Sequence, residues 1–246
     1  MFEARLKCAS LLRRAVESIK DLVGEANFEC DATGVSVRAM DATHVVLVHL
    51  QLPMDEFELY QCPRPFVMGL HTGNLAKMLK CASGEDSVTL RADEDGDKVG
   101  FIFGSDGRTS EFELRLLNIE SEHLDIPDTE YGATATVVSS EFQTICRDLS
   151  SIGDVATIAA GPEFLEFSSG GDIGTAKITL KSSPLNKPAK LGFALRYLNS
   201  FAKAAPLSAN VTINISDGLP IILSYTVGES GRLRFYLASK LEEDDI

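Results

Sequence analysis

Leu75-Ala-Lys-Met-Leu-Lys80, with Ser87-Val-Thr-Leu90 seven residues on, is matched by Leu198-Asn-Ser-Phe-Ala-Lys203, with Asn210-Val-Thr-Ile213 after the same gap. Each stretch joins an amphipathic helical period to a strand-like run, so what recurs is a helix-plus-strand unit. The same period appears at roughly 9–23, 72–81, 140–150 and 195–205. Superimposing Lys20, Lys80, Arg147 and Lys203 aligns Ile19, Leu79, Cys146 and Ala202 one residue before, and Ala15, Leu75, Phe142 and Leu198 five before. Phe28, Val88, Val155 and Val211 follow eight residues later, opening the next strand. The chain therefore reads as four copies of one unit, at spacings of 60, 67 and 56 residues.

Between the helices, strand patterns dominate: 35–38, 45–52, 87–91, 99–103, 109–116, 211–215 and 221–227, many bounded by Gly, Asp, Asn or Pro. Phe112, Leu114 and Leu116 alternate with Glu111, Glu113 and Arg115, the signature of a half-buried antiparallel strand. Alternation ends near residue 117, where acids and Pro127 accumulate. The expectation is an α+β chain of two similar domains, 1–117 and 132–246, each a duplicated helix-plus-strands unit, joined by a connecting loop at 118–131.

The 246 residues carry 23 basic and 36 acidic side chains, a net charge of -13, which excludes a diffusely basic nucleic-acid or membrane binder. The longest apolar run, Val45 to Leu50, is interrupted by His49 and is far shorter than the roughly 20 residues of a membrane span. An early acid and no apolar secretion core at the start predict a soluble intracellular protein. Five scattered cysteines without C-x-x-C predict reduced, mostly buried thiols, not a disulfide framework or a zinc site.

The cations are not spread evenly. Across the four helical windows stand Arg13, Arg14, Lys20, Lys77, Lys80, Arg147, Arg196 and Lys203 against four acids, leaving 15 basic and 32 acidic residues elsewhere. On the first helix Leu12, Ala15, Val16, Ile19 and Val23 form one stripe, with Arg13, Arg14 and Lys20 on the other side. Solvation of an outward face explains any one such lysine; it does not explain the same sign at the same repeat position four times. The pattern predicts weak, salt-dependent, sequence-independent binding of a duplex, with no element suited to base readout.

Signatures of nucleotide-binding loops, zinc proteases and serine hydrolases are absent. Asp41 and His44 could serve as an acid/base pair, and Cys146 as a nucleophile, but neither has a third supporting group in sequence.

Several blocks resemble the proliferating cell nuclear antigen (PCNA) family, the eukaryotic sliding clamps. They are Met1-Phe-Glu-Ala-Arg-Leu6, Met40-Asp-Ala-Thr-His-Val45, Leu79-Lys-Cys-Ala82 and Ile145-Cys-Arg-Asp-Leu-Ser-Ser-Ile-Gly-Asp154, then Phe193-Ala-Leu-Arg-Tyr-Leu-Asn199, Lys203-Ala-Ala-Pro-Leu-Ser208 and Tyr236-Leu-Ala-Ser-Lys-Leu241. The resemblance spans essentially the whole chain. It implies a non-enzymatic homotrimeric ring with helices inside and antiparallel sheets outside, closed around duplex DNA in the nucleus. Arg13, Arg14, Lys20, Lys77, Lys80, Arg147 and Lys203 would face the DNA. Edge strands near 109–116 and 175–181 would pair between subunits.

The resemblance also implies partners: DNA polymerases, an ATP-driven clamp loader, flap nuclease, ligase and other motif-bearing replication and repair proteins, with no cofactor, metal or membrane. Their motif would dock in an apolar groove of Met40, His44, Val45, Leu47, Leu124, Ile126, Pro127, Tyr131, Leu219, Pro220, Tyr236, Leu237 and Ala238. A checkpoint-type clamp subunit is the alternative within the same fold. Four departures stand out. Thr144 and Ser151 occupy positions often basic or histidine in the family, Ser239 replaces a proline that would stiffen one groove wall, and the 181–190 loop is short. Ala160-Gly-Pro-Glu163 lacks the lysine used there for ubiquitin-dependent lesion tolerance.

Overall fold

Alternation governs the strands: Val46, Val48, Leu50 and Leu52, or Val99, Phe101 and Phe103, are each at most 3 % exposed, while the residues between them are less deeply buried or polar. The computed structural model describes residues 1–93, 96–120, 129–181 and 187–240. The chain divides into two units. One comprises Met1–Ala42, Val48–Leu124 and Thr226–Leu233, the other Thr43–Leu47, Asp125–Tyr225 and Arg234–Ile246.

In chain order the first half contains β1 (Phe2–Leu6), α1 (Ala9–Ile19), β2 (Glu25–Asp31), β3 (Gly34–Met40), β4 (Val46–Pro53), β5 (Leu59–Gln61), β6 (Phe66–His71), α2 (Thr72–Leu79), β7 (Ser87–Ala92), β8 (Lys98–Ser105) and β9 (Arg108–Arg115). The second contains β10 (Ala133–Val138), α3 (Ser139–Ser150), β11 (Val155–Gly161), β12 (Phe164–Gly171), β13 (Gly174–Lys181), β14 (Ala189–Ala194), α4 (Leu195–Ala202), β15 (Asn210–Ile215), β16 (Ile221–Val227) and β17 (Gly231–Leu237).

Four copies are present, and each starts one strand earlier than the sequence pattern suggests: strand, helix, three strands, with the short β5 added to the first. The leading strands β1, β6, β10 and β14 are five or six residues long and run almost directly into their helices, so the helical period masks them. They are what joins the copies. In the first unit β1 pairs with β7 and β6 with β2; in the second β10 pairs with β15 and β14 with β11, all antiparallel. Each leading strand thus completes the sheet of the other copy, so one copy alone would leave an open edge.

The structure also corrects the register of the third copy. Ala9 and Ser139 open α1 and α3, and Asp31 and Gly161 close the following strands, 130 residues apart in both cases. Lys20 therefore corresponds to Ser150, and Arg147 to Glu17. For α2 and α4, which end at caps Lys80 and Lys203, the pattern-based alignment holds. A slip of three residues rotates a helix by only about 60° from register, so an apolar stripe hardly registers it.

Each helix buries one stripe: Leu12, Ala15, Val16 and Ile19 on α1, Leu75, Ala76 and Leu79 on α2, Phe142, Ile145, Cys146 and Leu149 on α3, and Leu195, Leu198, Phe201 and Ala202 on α4. Phe201 stacks on Phe235 with ring centres 4.6 Å apart. Within each unit the two helices lie side by side, α1 on α2 and α3 on α4. Gln143 Nε2 donates to Ala202 O, and Asn199 Nδ2 to Ser150 Oγ, which pins the second pair. All five cysteines are free, but only Cys30 and Cys146 are buried; Cys81 is exposed, contrary to the expectation of mostly buried thiols. Among the described residues no helix is long and apolar enough to cross a membrane.

Two close approaches tie down the ends of the repeats. Leu117 N donates to Gly69 O at 2.8 Å, and a Cβ at Gly69 would stand 2.1 Å from Leu117 O. Lys240 N makes the corresponding bond to Gly192 O, 2.9 Å, in the second unit. Gly69→Ala is expected to detach Leu117 from the β6 edge and to cost about 1–3 kcal/mol in chemical denaturation.

Glu56 holds the turn before β17: its Oε1 accepts from the backbone N–H of Ser230, from Ser230 Oγ at 2.9 Å and from Gly231 N at 3.0 Å. Partial burial pushes this carboxyl up, but the donated hydrogen bonds outweigh it and hold Glu56 below the usual range. A depressed folded-state value contributes stability above the unfolded carboxylate range and loses it as pH falls through the folded value. Glu56→Gln should therefore destabilise by about 1 kcal/mol at neutral pH. Parallel melts of the two proteins should converge below about pH 4.

Candidate functional site

The outward faces of the helices carry the cations. In the first unit Arg14, Lys77 and Lys80 are exposed and Arg13 and Lys20 half-exposed, on the side of α1 and α2 opposite their buried stripes. In the second, Arg147, Arg196 and Lys203 are exposed on α3 and α4. Arg196 is not among the seven residues expected to face DNA. It lies between the buried Leu195 and Tyr197, where apolar periodicity alone does not assign a side.

Three helices end on a lysine cap, Lys20, Lys80 and Lys203, where a cation meets the negative end of the helix dipole; α3 ends on Ser151. The fourfold recurrence of charge expected from the pattern is thus threefold at this position. Thr144 Oγ1 and Ser151 Oγ turn back onto their own helix, donating to Ser140 O and Asp148 O.

Acids temper several of these cations. Lys20 Nζ sits 2.9 Å from Asp21 Oδ1 and Lys80 Nζ 3.9 Å from Glu17 Oε1, while Arg147 places Nε and Nη2 3.1 and 3.0 Å from one oxygen of Asp148. Exposed pairs of this kind are worth about 0–1 kcal/mol, so a phosphate can displace the acid at little cost. The result is a sparse, hydrated set of positive charges on paired helices, suited to transient phosphate contacts and not to a tight grip.

A second candidate lies on another part of the second unit. Tyr131 Oη donates to Pro220 O at 2.8 Å, and Ala238 N donates to Val45 O at 3.3 Å. The Tyr131 phenol is pushed up to about 12, first by burial and then by the neighbouring Tyr236. Val45, Leu47, Leu219 and Tyr236 are half-buried, Pro220 and Ala238 exposed. His44 is exposed with φ 56°, and Thr43 Oγ1 lies 2.8 Å from Tyr197 Oη on α4. Arg196 stacks over that same ring at 4.7 Å.

One of the predicted groove residues does not fit. Leu237 is 1 % exposed and points into the core with Leu233 and Phe235, because the strand alternates and Tyr236 takes the outer face. Met40 is half-buried in the first unit. Leu124, Ile126 and Pro127 lie outside the described residues. Ser239 is flanked by the bonds from Ala238 to Val45 and from Lys240 to Gly192, so the wall it belongs to is anchored on both sides without proline. Asp41 is buried, and among the described residues no group of His, Cys, Asp and Glu is arranged to hold a metal.

Residues 1–123 match the family model described as proliferating cell nuclear antigen, N-terminal domain, and residues 125–240 match the corresponding C-terminal domain. Proliferating cell nuclear antigen of Dictyostelium discoideum is 44% identical over 258 aligned residues, covering 98% of this chain and 100% of the relative. A fourfold strand-helix-strand repeat with its cations on paired helices, matched by family models over nearly its full length, places the chain in the proliferating cell nuclear antigen family of DNA sliding clamps, which are non-enzymatic scaffolds.

Proposed function

We propose that this protein is a homotrimeric ring that encircles duplex DNA in the nucleus. It acts as a processivity factor for DNA polymerases and as a platform for replication and repair proteins. Arg13, Arg14, Lys20, Lys77, Lys80, Arg147 and Lys203, joined by Arg196, contact the phosphates. Residues 1–117 and 132–246 serve as its two clamp domains, joined by 118–131. The observation that carries this reading is the segregation of charge: the helices bear a positive surplus while the other residues hold 15 bases against 32 acids. A chain this anionic would repel DNA unless its cations met the duplex together and its acids faced away.

Topological linkage then replaces affinity, so the weak contacts permit sliding. Motif-bearing partners, among them polymerases, the clamp loader, flap nuclease and ligase, dock an apolar anchor beside His44, Val45, Tyr131, Pro220 and Tyr236, with basic flanks suited to an acidic surface. With a clamp loader and ATP, the protein should remain on closed circular DNA through gel filtration and run off the same DNA once it is linearised. Equal retention on both forms would refute encirclement.

A further inference from the structure

α4 opens on adjacent residues with opposite surroundings: Arg196 is exposed on the cationic face, and Tyr197 is only 8 % exposed. The Arg196 guanidinium folds back over its neighbour. Its Cζ lies 4.7 Å from the centre of the Tyr197 ring, and Nη2 donates to Tyr197 Oη at 3.2 Å. The same Oη meets Thr43 Oγ1 at 2.8 Å, across 154 residues of sequence. A guanidinium has no acceptor, so Oη accepts from Arg196 and keeps its own proton for Thr43. Thr43 leads into His44, held at φ 56°, and Val45, whose carbonyl accepts from Ala238 N at 3.3 Å. A side-chain-bearing residue in the left-handed region persists where its surroundings fix it, and the bond from Thr43 to Tyr197 anchors the residue just before it.

We propose that Arg196, Tyr197 and Thr43 form a relay between the DNA-facing helix and the partner groove: a phosphate that draws Arg196 off Tyr197 loosens the turn at 43–45 and weakens peptide binding beside His44. The inference rests on the DNA and groove readings above and adds how the two sites act on each other. Arg196 is the second residue of α4, where the positive end of the helix dipole disfavours a cation. The tyrosine face offsets this with its quadrupole and a phosphate offsets it with full charge, and a bidentate phosphate contact draws on the same fork of N–H donors that reaches Oη. The two positions of the guanidinium therefore compete.

The other cations differ in what they leave behind. Lys20, Lys80 and Arg147 pair with acids, whereas Arg196 leaves a tyrosine that touches the groove turn. Coupling of this kind is reciprocal, so peptide and duplex each weaken the other by one factor. A clamp on DNA then exchanges partners more readily than a free one, while the closed ring keeps it on the duplex.

Fluorescence polarisation tests this in the full chain, with a labelled peptide whose aromatic anchor has uncharged flanks, so that it does not itself bind DNA. Tyr197→Phe keeps the ring and loses Oη; Thr43→Val keeps the shape and loses Oγ1. Each should weaken the peptide about fivefold with unchanged circular dichroism, and the two together no further than either alone, because both delete one bond. Arg196→Lys keeps the charge without the planar stack, so duplex binding should stay within about twofold while the peptide weakens about threefold. A saturating short duplex at low salt should weaken peptide binding to the wild type about threefold and leave Tyr197→Phe unaffected. Wild-type peptide affinity in Tyr197→Phe, additive losses in the double variant, or an equal effect of DNA on both chains would overturn the relay while leaving both sites in place. A wild-type chain that binds no duplex, or no peptide, would overturn the underlying reading of that site and the relay with it.

Discussion

Glutamate in place of Lys20, Lys80, Arg147 and Lys203 together is expected to abolish retention on circular DNA and to weaken direct duplex binding more than about 100-fold at low salt. Folding and ring assembly should be untouched, because the three lysine caps and Arg147 are half-exposed or exposed and none contributes to a buried stripe. The logarithmic salt dependence of binding should flatten by about 0.9 for each phosphate no longer neutralised. The ion pairs supply the opposite test. Asp21→Asn and Asp148→Asn release Lys20 and Arg147 from their acids, so each should strengthen duplex binding a few-fold. Fluorescence anisotropy on a labelled duplex over a salt series reads both directions. Unchanged retention in the fourfold variant would remove these helices from the DNA-facing surface.

Tyr236→Ala should weaken binding of a peptide with an aromatic anchor and basic flanks by about 30-fold or more, since aromatic side chains at the centre of such patches carry most of the energy. Tyr131→Phe keeps the ring but removes the 2.8 Å bond to Pro220 O, and a roughly fivefold weakening is expected. His44 requires a different control. At φ 56° an alanine adds backbone strain of about 1 kcal/mol, so His44→Asn, which tolerates this conformation, separates removal of the imidazole from distortion of the turn. Both His44 variants should bind the peptide more weakly while still encircling DNA. An enzyme built on Asp41 and His44 would instead lose turnover. Fluorescence polarisation for the peptide and light scattering for the ring distinguish these outcomes. Full peptide affinity in Tyr236→Ala would remove the groove from the proposal.

Much of this was legible from residue order alone. A helical period that recurs with its following strand needs only local physics: an amphipathic helix must bury one stripe, and a strand must hide alternate residues. The duplication, the positions of all four helices and the cations on their outer faces therefore follow from spacing. Leu75 and Leu198, or Val88 and Val211, announce themselves because burial selects the same kind of residue each time.

Other features depend on partners remote in the chain, and no local pattern encodes them. The exchange of β1 for β6, and of β10 for β14, between copies joins strands dozens of residues apart. The limits of helix and strand in the third copy likewise place Ser150, not Arg147, at the position of Lys20. The pairing of Lys80 with Glu17 needs α1 and α2 side by side, and the inward turn of Leu237 needs the phase of a strand set by its neighbours. Hydrophobic periodicity tells which side of an element faces a core. Which core, in which register and beside which charge, is settled when distant strands meet, because sheet hydrogen bonds and side-chain packing form only between surfaces that the whole chain has brought together.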